Sequence, residues 1–277
     1  MAQKTQLNRP SEVHALLEQL GHRPNRGLGQ NFLIDANILQ LIVDTAVLTP
    51  EDAVLEIGPG LGALTERLVE KRVALTCIEK DRVMANYLKT QFNTLTLLEA
   101  DALKVDLNAL FSEGITKVVA NLPYSVASRL IVDMSACASR PKHMVVTVQK
   151  EVADRITASA GSASYGVLSV LTDFYYHRTA VKKISPTCFL PPPKVWSAVV
   201  SLVKRETPAG EDELYPIFKK LVKFCFSQRR KMLATSLRNA GIAHATDLLE
   251  SIDISPTIRP EDVALEGWVR LAKATRD

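Results

Sequence analysis

Ala53-Val54-Leu55-Glu56-Ile57-Gly58-Pro59-Gly60-Leu61-Gly62-Ala63-Leu64-Thr65 is the stretch whose reading decides the fold. Ala53 to Ile57 is a short apolar strand, and from Leu61 to Val69 the apolar residues Leu61, Leu64 and Leu68 recur at helical spacing. The order is strand, glycine turn, helix. Gly58 and Gly60 let the backbone approach a ligand without an intervening Cβ. A second strand, Val73 to Ile78, ends at Glu79, about twenty residues beyond the loop, where an acid of a nucleoside-binding βαβ unit reaches both ribose hydroxyls. A third, Thr94 to Leu98, precedes Asp101, which could accept a hydrogen bond from an adenine amino group. This arrangement alone does not separate a dinucleotide from S-adenosylmethionine, although Gly62 stands one residue earlier than the last glycine of the dinucleotide fingerprint.

The apolar run Thr116 to Ala120 ends in Asn121-Leu122-Pro123-Tyr124. A planar aromatic amine is a poor nucleophile because its lone pair is delocalised into the ring. An Asn side-chain oxygen and a nearby backbone carbonyl can accept hydrogen bonds from both of its N–H atoms and aim the lone pair at an electrophilic methyl group. Asn121 and the Leu122 carbonyl fit those roles. Pro123 restricts Leu122 to extended conformations, and the Tyr124 ring can stack on a purine. Gly58, Glu79, Asp101 and Asn121 thus stand at four successive strand ends, as for a ligand bound along the carboxyl edge of an open parallel sheet.

With these motifs the chain resembles the ribosomal RNA adenine dimethylase family, and within it the bacterial small-subunit dimethyladenosine transferases. The resemblance runs from Gly29-Gln30-Asn31-Phe32-Leu33 through the glycine loop and the Asn121 tetrapeptide to Val148–Ala153, Phe189-Leu190-Pro191-Pro192-Pro193-Lys194-Val195 and Phe226–Lys231. It implies a class I S-adenosylmethionine-dependent methyltransferase: a Rossmann-like α/β fold with a mostly parallel seven-stranded sheet and an antiparallel edge hairpin, plus a small all-α C-terminal domain. By the same resemblance Gln30, Asn31, Leu33, Gly58, Gly60, Glu79, Asp101 and Asn121 border the cofactor. Tyr124 and Phe189 clamp the target base, S-adenosylhomocysteine is the product, and no metal takes part. The implied reaction is N6,N6-dimethylation of two adjacent adenines in the 3′-terminal hairpin of 16S rRNA, on a pre-30S particle. One departure is Trp196, where family members commonly carry Asp; it bears on loop packing or RNA contacts.

Domain expectations are a methyltransferase domain over 1–207, with an N-terminal helical arm, and a helical rRNA-binding domain over 208–277, joined by a linker near Lys204 to Glu213. Helices are expected over Ser11 to Leu20, Ala36 to Leu48, Lys150 to Thr157 and Tyr165 to Tyr176, with a last helix starting near Pro260 and burying Trp268 and Leu271. Val181 to Ile184 and Ala198 to Val203 supply the last strands.

The net charge of +4 is modest, so distribution matters more. From Phe218 to Ala240 the chain carries Lys219, Lys220, Lys223, Arg229, Arg230, Lys231 and Arg238 without an acid, and Arg23 and Arg26 form a second basic cluster. Both suit phosphate contacts. Cys77, Cys137, Cys188 and Cys225 show no metal or redox spacing, and the histidines no ligand spacing. No apolar run approaches the roughly 20 residues of a membrane helix, and the N terminus lacks a signal-peptide core, so a cytoplasmic protein without membrane attachment is expected; the resemblance implies a monomer. The alternatives are a large-subunit rRNA adenine methyltransferase of the antibiotic-resistance type and a chiefly non-catalytic ribosome-assembly factor. A nicotinamide-dependent oxidoreductase would leave the Asn121 tetrapeptide without a role.

Overall fold

The computed structural model describes Leu7, residues 9–24 and residues 29–276. The chain divides into two compact units, one comprising residues up to Ala153 with Thr179–Val203, the other Asp154–Arg178 with Lys204–Asp277.

In the first unit, α1 (Pro10–Gln19), β1 (Phe32–Leu33) and α2 (Ala36–Thr45) precede the glycine-loop strand β2 (Ala53–Ile57) and helix α3 (Ala63–Glu70). There follow β3 (Ala74–Glu79), α4 (Arg82–Gln91), β4 (Thr96–Glu99), α5 (Leu107–Ser112), β5 (Lys117–Asn121), α6 (Ala127–Ser135), β6 (His143–Gln149) and the start of α7 (Lys150–Thr157). The seven-stranded sheet has the order β4-β3-β2-β5-β6-β9-β7, where β7 is Tyr176–Ile184 and β9 is Ser197–Lys204. Strands β4, β3, β2, β5 and β6 are parallel, and β9 runs antiparallel to β6 in the register Val145↔Ser201, Thr147↔Val199. The order reverses at β2, so the crevice between the carboxyl ends of β2 and β5 is the place where such sheets bind ligands. The central strands are buried on both faces and read as continuous apolar runs, with Val54, Leu55, Val118, Val119 and Ala120 at 0% exposure. Aspartates start the helices: Asp35 accepts the N–H groups of Asn37 and Ile38, and Asp81 those of Val83 and Met84.

A small second sheet was not expected. Phe32↔Leu190 and Leu33↔Phe189 pair β1 antiparallel with β8 (Phe189–Leu190), and the Ile34 N–H donates to the Cys188 carbonyl at 2.9 Å. These segments, more than 150 residues apart in sequence, become neighbours.

The second unit holds α8 (Val167–Asp173), α9 (Tyr215–Ser227), α10 (Leu233–Asn239), α11 (Ala245–Ser251) and α12 (Leu265–Ala274). Its core is aromatic: Phe174 meets Phe218 with ring centroids 4.7 Å apart and Tyr215 at 5.2 Å, and Trp268 is fully buried against Phe226. Here the division departs from the expected boundary between 207 and 208. Residues 154–178 group with the C-terminal helices, with Phe174 and Tyr175 packing against Tyr215 of α9. The expected linker is docked rather than free: the Ala209 N–H donates to the Phe174 carbonyl at 3.0 Å, and a Cβ at Gly210 would lie 3.2 Å from the Phe174 ring. Pro260 opens a short 3-10 turn over Pro260–Asp262, and the last helix starts only at Leu265; Trp268 and Leu271 are buried as expected. The basic stretch is broken as well, since α9 ends at Ser227 and leaves Arg229, Arg230 and Lys231 in the turn before α10.

Among the described residues no helix is long and apolar enough to cross a membrane. Because Phe218 is fully buried among aromatic rings, Phe218→Ala is expected to cost about 3–5 kcal/mol. Chemical denaturation of the variant against the parent checks this, and a loss below about 1 kcal/mol would mean that the cluster contributes little.

Candidate active site at the carboxyl edge of the sheet

The glycine loop takes its shape from what packs on it. Gly58 and Gly60 have φ of 70° and 58°, in the left-handed region that favours glycine. A Cβ at Gly58 would lie 3.2 Å from Cγ of Pro123, and one at Gly60 would lie 2.9 Å from the Phe32 ring. The glycines therefore admit two protein segments, the Asn121 tetrapeptide and β1, to the floor of the site. The loop, these segments and the ends of β3 and β4 enclose a cavity of about 220 Å³. It is lined by Gln30, Asn31, Leu33, Gly58, Gly60, Glu79, Asp101, Asn121 and Pro123 among others, so every residue expected to border a cofactor is on its wall.

Each acid has a distinct environment. Glu79 accepts the Gly60 N–H at 3.0 Å with one oxygen and the Asp81 N–H at 2.8 Å with the other. Burial raises its pKa, and these backbone donors oppose the rise. Asp101, at the more open end, accepts from Lys80 Nζ at 3.0 Å and from the Leu103 N–H at 3.0 Å. The Lys80 hydrogen bond holds its carboxyl below the usual range. Glu56, on the same wall, was not singled out in the sequence. It is 1% exposed, accepts the Thr65 hydroxyl at 2.7 Å and the Cys77 thiol at 3.7 Å, and burial pushes its pKa up to about 8. Its position inside an apolar strand was the available signal.

Asn121 is the centre of the arrangement. Its Nδ2 donates to the Asn31 carbonyl at 3.1 Å, and an acceptor in that place fixes which way the amide points. Its Oδ1 is buried and has no hydrogen-bond partner among the described residues, and neither has Oγ1 of Thr147, its register partner on β6. A buried carboxamide oxygen without a donor is costly, about 1–3 kcal/mol. This orphan suits a ligand that brings an N–H. Leu122 is buried, its N–H donating to the Thr147 carbonyl at 3.2 Å. Tyr124 stands beside the cavity with its hydroxyl 2.5 Å from Ser197 Oγ, and burial raises the phenol's pKa.

Other expected residues are placed differently. Phe189 is 2% exposed and packs with Leu33, Ile184 and Val199; its ring does not line the cavity. Gln30 lines it, but its amide is engaged with Asp81 Oδ2 at 3.0 Å and His22 Nε2 at 3.1 Å. In the second unit Lys220, Lys223, Arg230 and Lys231 are exposed and Lys219 half-buried, whereas Arg229 pairs with Glu261 and donates to the Ala163 carbonyl. Arg23 is exposed; Arg26 lies outside the described residues. No group of three or more His, Cys, Asp or Glu among the described residues is placed to hold a metal ion.

A doubly wound sheet with one antiparallel strand, a glycine loop after β2 and an acid after each of the next two strands defines an α/β domain of the class I methyltransferase type. The profile of the ribosomal RNA adenine dimethylase family matches residues 21–277. Ribosomal RNA small subunit methyltransferase A of Leuconostoc mesenteroides is 37% identical, covering 100% of this chain and 98% of its own length, and that of Chromobacterium violaceum is 38% identical, covering 92% and 97%. Among solved structures, a dimethyladenosine transferase from Plasmodium falciparum superposes with a TM-score of 0.76 at 26% identity, covering 87% of this chain and 95% of the other. The 23S rRNA methyltransferase ErmE superposes with a TM-score of 0.68 at 26% identity, covering 89% and 100%. The chain belongs to the ribosomal RNA adenine dimethylase family.

Glu56 gives a direct pH expectation. A carboxyl raised from 4.5 to about 8 stays protonated in the folded state while the unfolded chain ionises. Its contribution is favourable at low pH and declines as pH rises from about 4.5 to 8, because the unfolded state then binds fewer protons. Glu56→Gln keeps an acceptor for Thr65 and removes the titration. Its stability relative to the parent is expected to improve steadily across that window in urea unfolding at several pH values; parallel profiles would show that Glu56 ionises normally.

Proposed function

We propose that the chain transfers methyl groups from S-adenosylmethionine to N6 of two adjacent adenines in the 3′-terminal hairpin of small-subunit rRNA, within an assembling small subunit in the cytoplasm. The observation that carries this reading is the buried, unpartnered Oδ1 of Asn121, beside the glycine cradle and one residue from the Leu122 carbonyl. The residues at the edge suit the cofactor. Glu79 has its oxygens held by backbone N–H groups and keeps further lone pairs for two ribose hydroxyls, while Asp101 can accept an adenine amino hydrogen. When bound, S-adenosylmethionine supplies a methyl group already activated by its sulfonium charge.

The chain's own task is alignment. Asn121 Oδ1 and the Leu122 carbonyl accept the two amino hydrogens of the target adenine, turn its nitrogen lone pair toward the cavity and relieve the unsatisfied carboxamide oxygen. Hydrogen bonding to a charged species is not needed, because the proton released from the alkylated amine can pass to solvent. After the first transfer one N–H remains, and the same oxygen can hold it for the second. Tyr124 offers a stacking wall for the extruded base, its orientation fixed by Ser197. Phe189 supports the site from the core, because its pairing with Leu33 sets the segment whose Asn31 carbonyl orients Asn121. The relatives named small-subunit methyltransferases favour that subunit as substrate, and exposed Lys220 and Lys223 suit its phosphates.

Asn121→Ala is expected to lower methyl transfer by roughly a hundredfold or more while cofactor binding persists, since alignment and not affinity is removed. Tritium transfer to undermethylated small subunits, mass spectrometry for dimethyladenosine and calorimetry with the cofactor check the three parts; undiminished turnover would overturn the assignment. Lys219, Lys220 and Lys223 changed together to Ala should weaken rRNA binding and flatten its salt dependence by about 0.7–0.9 in log–log slope for each phosphate no longer neutralised. An unchanged slope in a binding titration across salt concentrations would remove α9 from the RNA interface.

A further inference from the structure

The segment 179–203 carries Lys182, Lys183 and Lys194 and no acidic residue, and within it stands an exposed aromatic. Trp196 is 45% exposed and its neighbour Val195 46%, whereas Trp268 is fully buried. An indole left in water has no packing reason to be there. Its backbone is nevertheless fixed: the Trp196 carbonyl accepts the Lys150 N–H at 2.8 Å, and the next residue, Ser197, starts β9 and holds the Tyr124 hydroxyl at 2.5 Å. Lys183 Nζ lies 4.0 Å from the centroid of the Trp196 ring, a cation–π contact that orients the indole and places a positive charge beside it.

We propose that Trp196 and Lys183 form a stacking platform for an unpaired nucleotide flanking the target adenine, the indole carrying the base and Lys183 the phosphate. This rests on the rRNA adenine reading above. A π-face beside an ammonium group matches a nucleotide, because every base has a face to stack and every linkage a charge to meet. A purely apolar partner would leave Lys183, at the ring, without a counter-charge. The platform adjoins in sequence the residue that holds Tyr124, so its backbone and that of the Tyr124 partner are fixed together.

The test uses the full chain and an unpaired RNA oligonucleotide containing two adjacent adenines. Because Trp268 is buried, quenching of tryptophan fluorescence by this RNA should come from Trp196 and vanish in Trp196→Ala. With undermethylated small subunits, Trp196→Ala is expected to raise KM about fivefold or more with little change in kcat or cofactor affinity. Trp196→Phe should restore KM, and Lys183→Ala should raise it by less. A wild-type KM in Trp196→Ala, or quenching that persists in it, would overturn the platform. Wild-type protein inactive on every rRNA would overturn the parent reading instead, and the quenching arm would still decide the platform.

Discussion

The hydrogen bond from Asn121 Nδ2 to the Asn31 carbonyl is the tie on which the site depends. It joins the end of β5 to a segment 90 residues earlier and uses one half of the carboxamide so that the other half has a single direction left. That segment is itself held by β1 pairing with β8, and β8 is held by burial of Phe189 in the main core. The Asn121 corner is therefore positioned by hydrophobic packing at a distance. The left-handed glycines complete it: with a side chain at residue 58 or 60, either Pro123 or Phe32 would have to retreat. Close approach to protein, as much as to ligand, explains these glycines.

Along the carboxyl edge the acids change character with depth. Glu56, sealed in the sheet, has its pKa pushed up by burial and acts as a packed hydrogen-bonding group. Glu79, next along, is buried but bound by two backbone N–H groups that stabilise its charge against desolvation. Asp101 is more open and ion-paired with Lys80. Along this edge burial disfavours the charge of Glu56 at one end, and the Lys80 hydrogen bond favours that of Asp101 at the other. A nucleoside whose hydroxyl and amino donors are spaced along its length matches that gradient. The reaction proposed above, driven by alignment and an activated methyl carbon, needs no strong general base.

Much of this edge was legible because its signals are local. Strand β2, the glycine loop and the acids at residues 79 and 101 declare themselves within a few residues of apolar patterning, and the fold class follows from their order. The resemblance added residues 30–33, which pattern alone could not place. What stayed hidden depends on contacts between distant segments. A two-residue strand such as β1 has no period to detect, and the burial of Phe189 follows from its pairing there. The aromatic cluster of Phe174, Tyr175, Tyr215 and Phe218 groups residues 154–178 with the C-terminal helices, which a Pro/Gly linker signal after residue 204 does not reveal. Pro260 is a fair helix starter, yet it opens a separate 3-10 turn.

The same limit governs the charges. A run of cations in sequence counts groups, whereas an interface for phosphates needs groups that the protein itself does not use. In the second unit Arg178 and Arg205 both grip Asp173, at 2.6 and 2.5 Å, and Arg229 is held by Glu261, so three arginines serve the fold first. Lys220 and Lys223 stand exposed on α9, opposite the buried stripe of Phe218, Leu221, Val222 and Cys225. Packing that stripe fixes the helix and lets its lysines face outward together, with aliphatic stems available to cover apolar surface. A net charge of only +4 is thus compatible with a local basic face, because Arg178, Arg205 and Arg229 are engaged by Asp173 and Glu261 while Lys220 and Lys223 of α9 stay exposed.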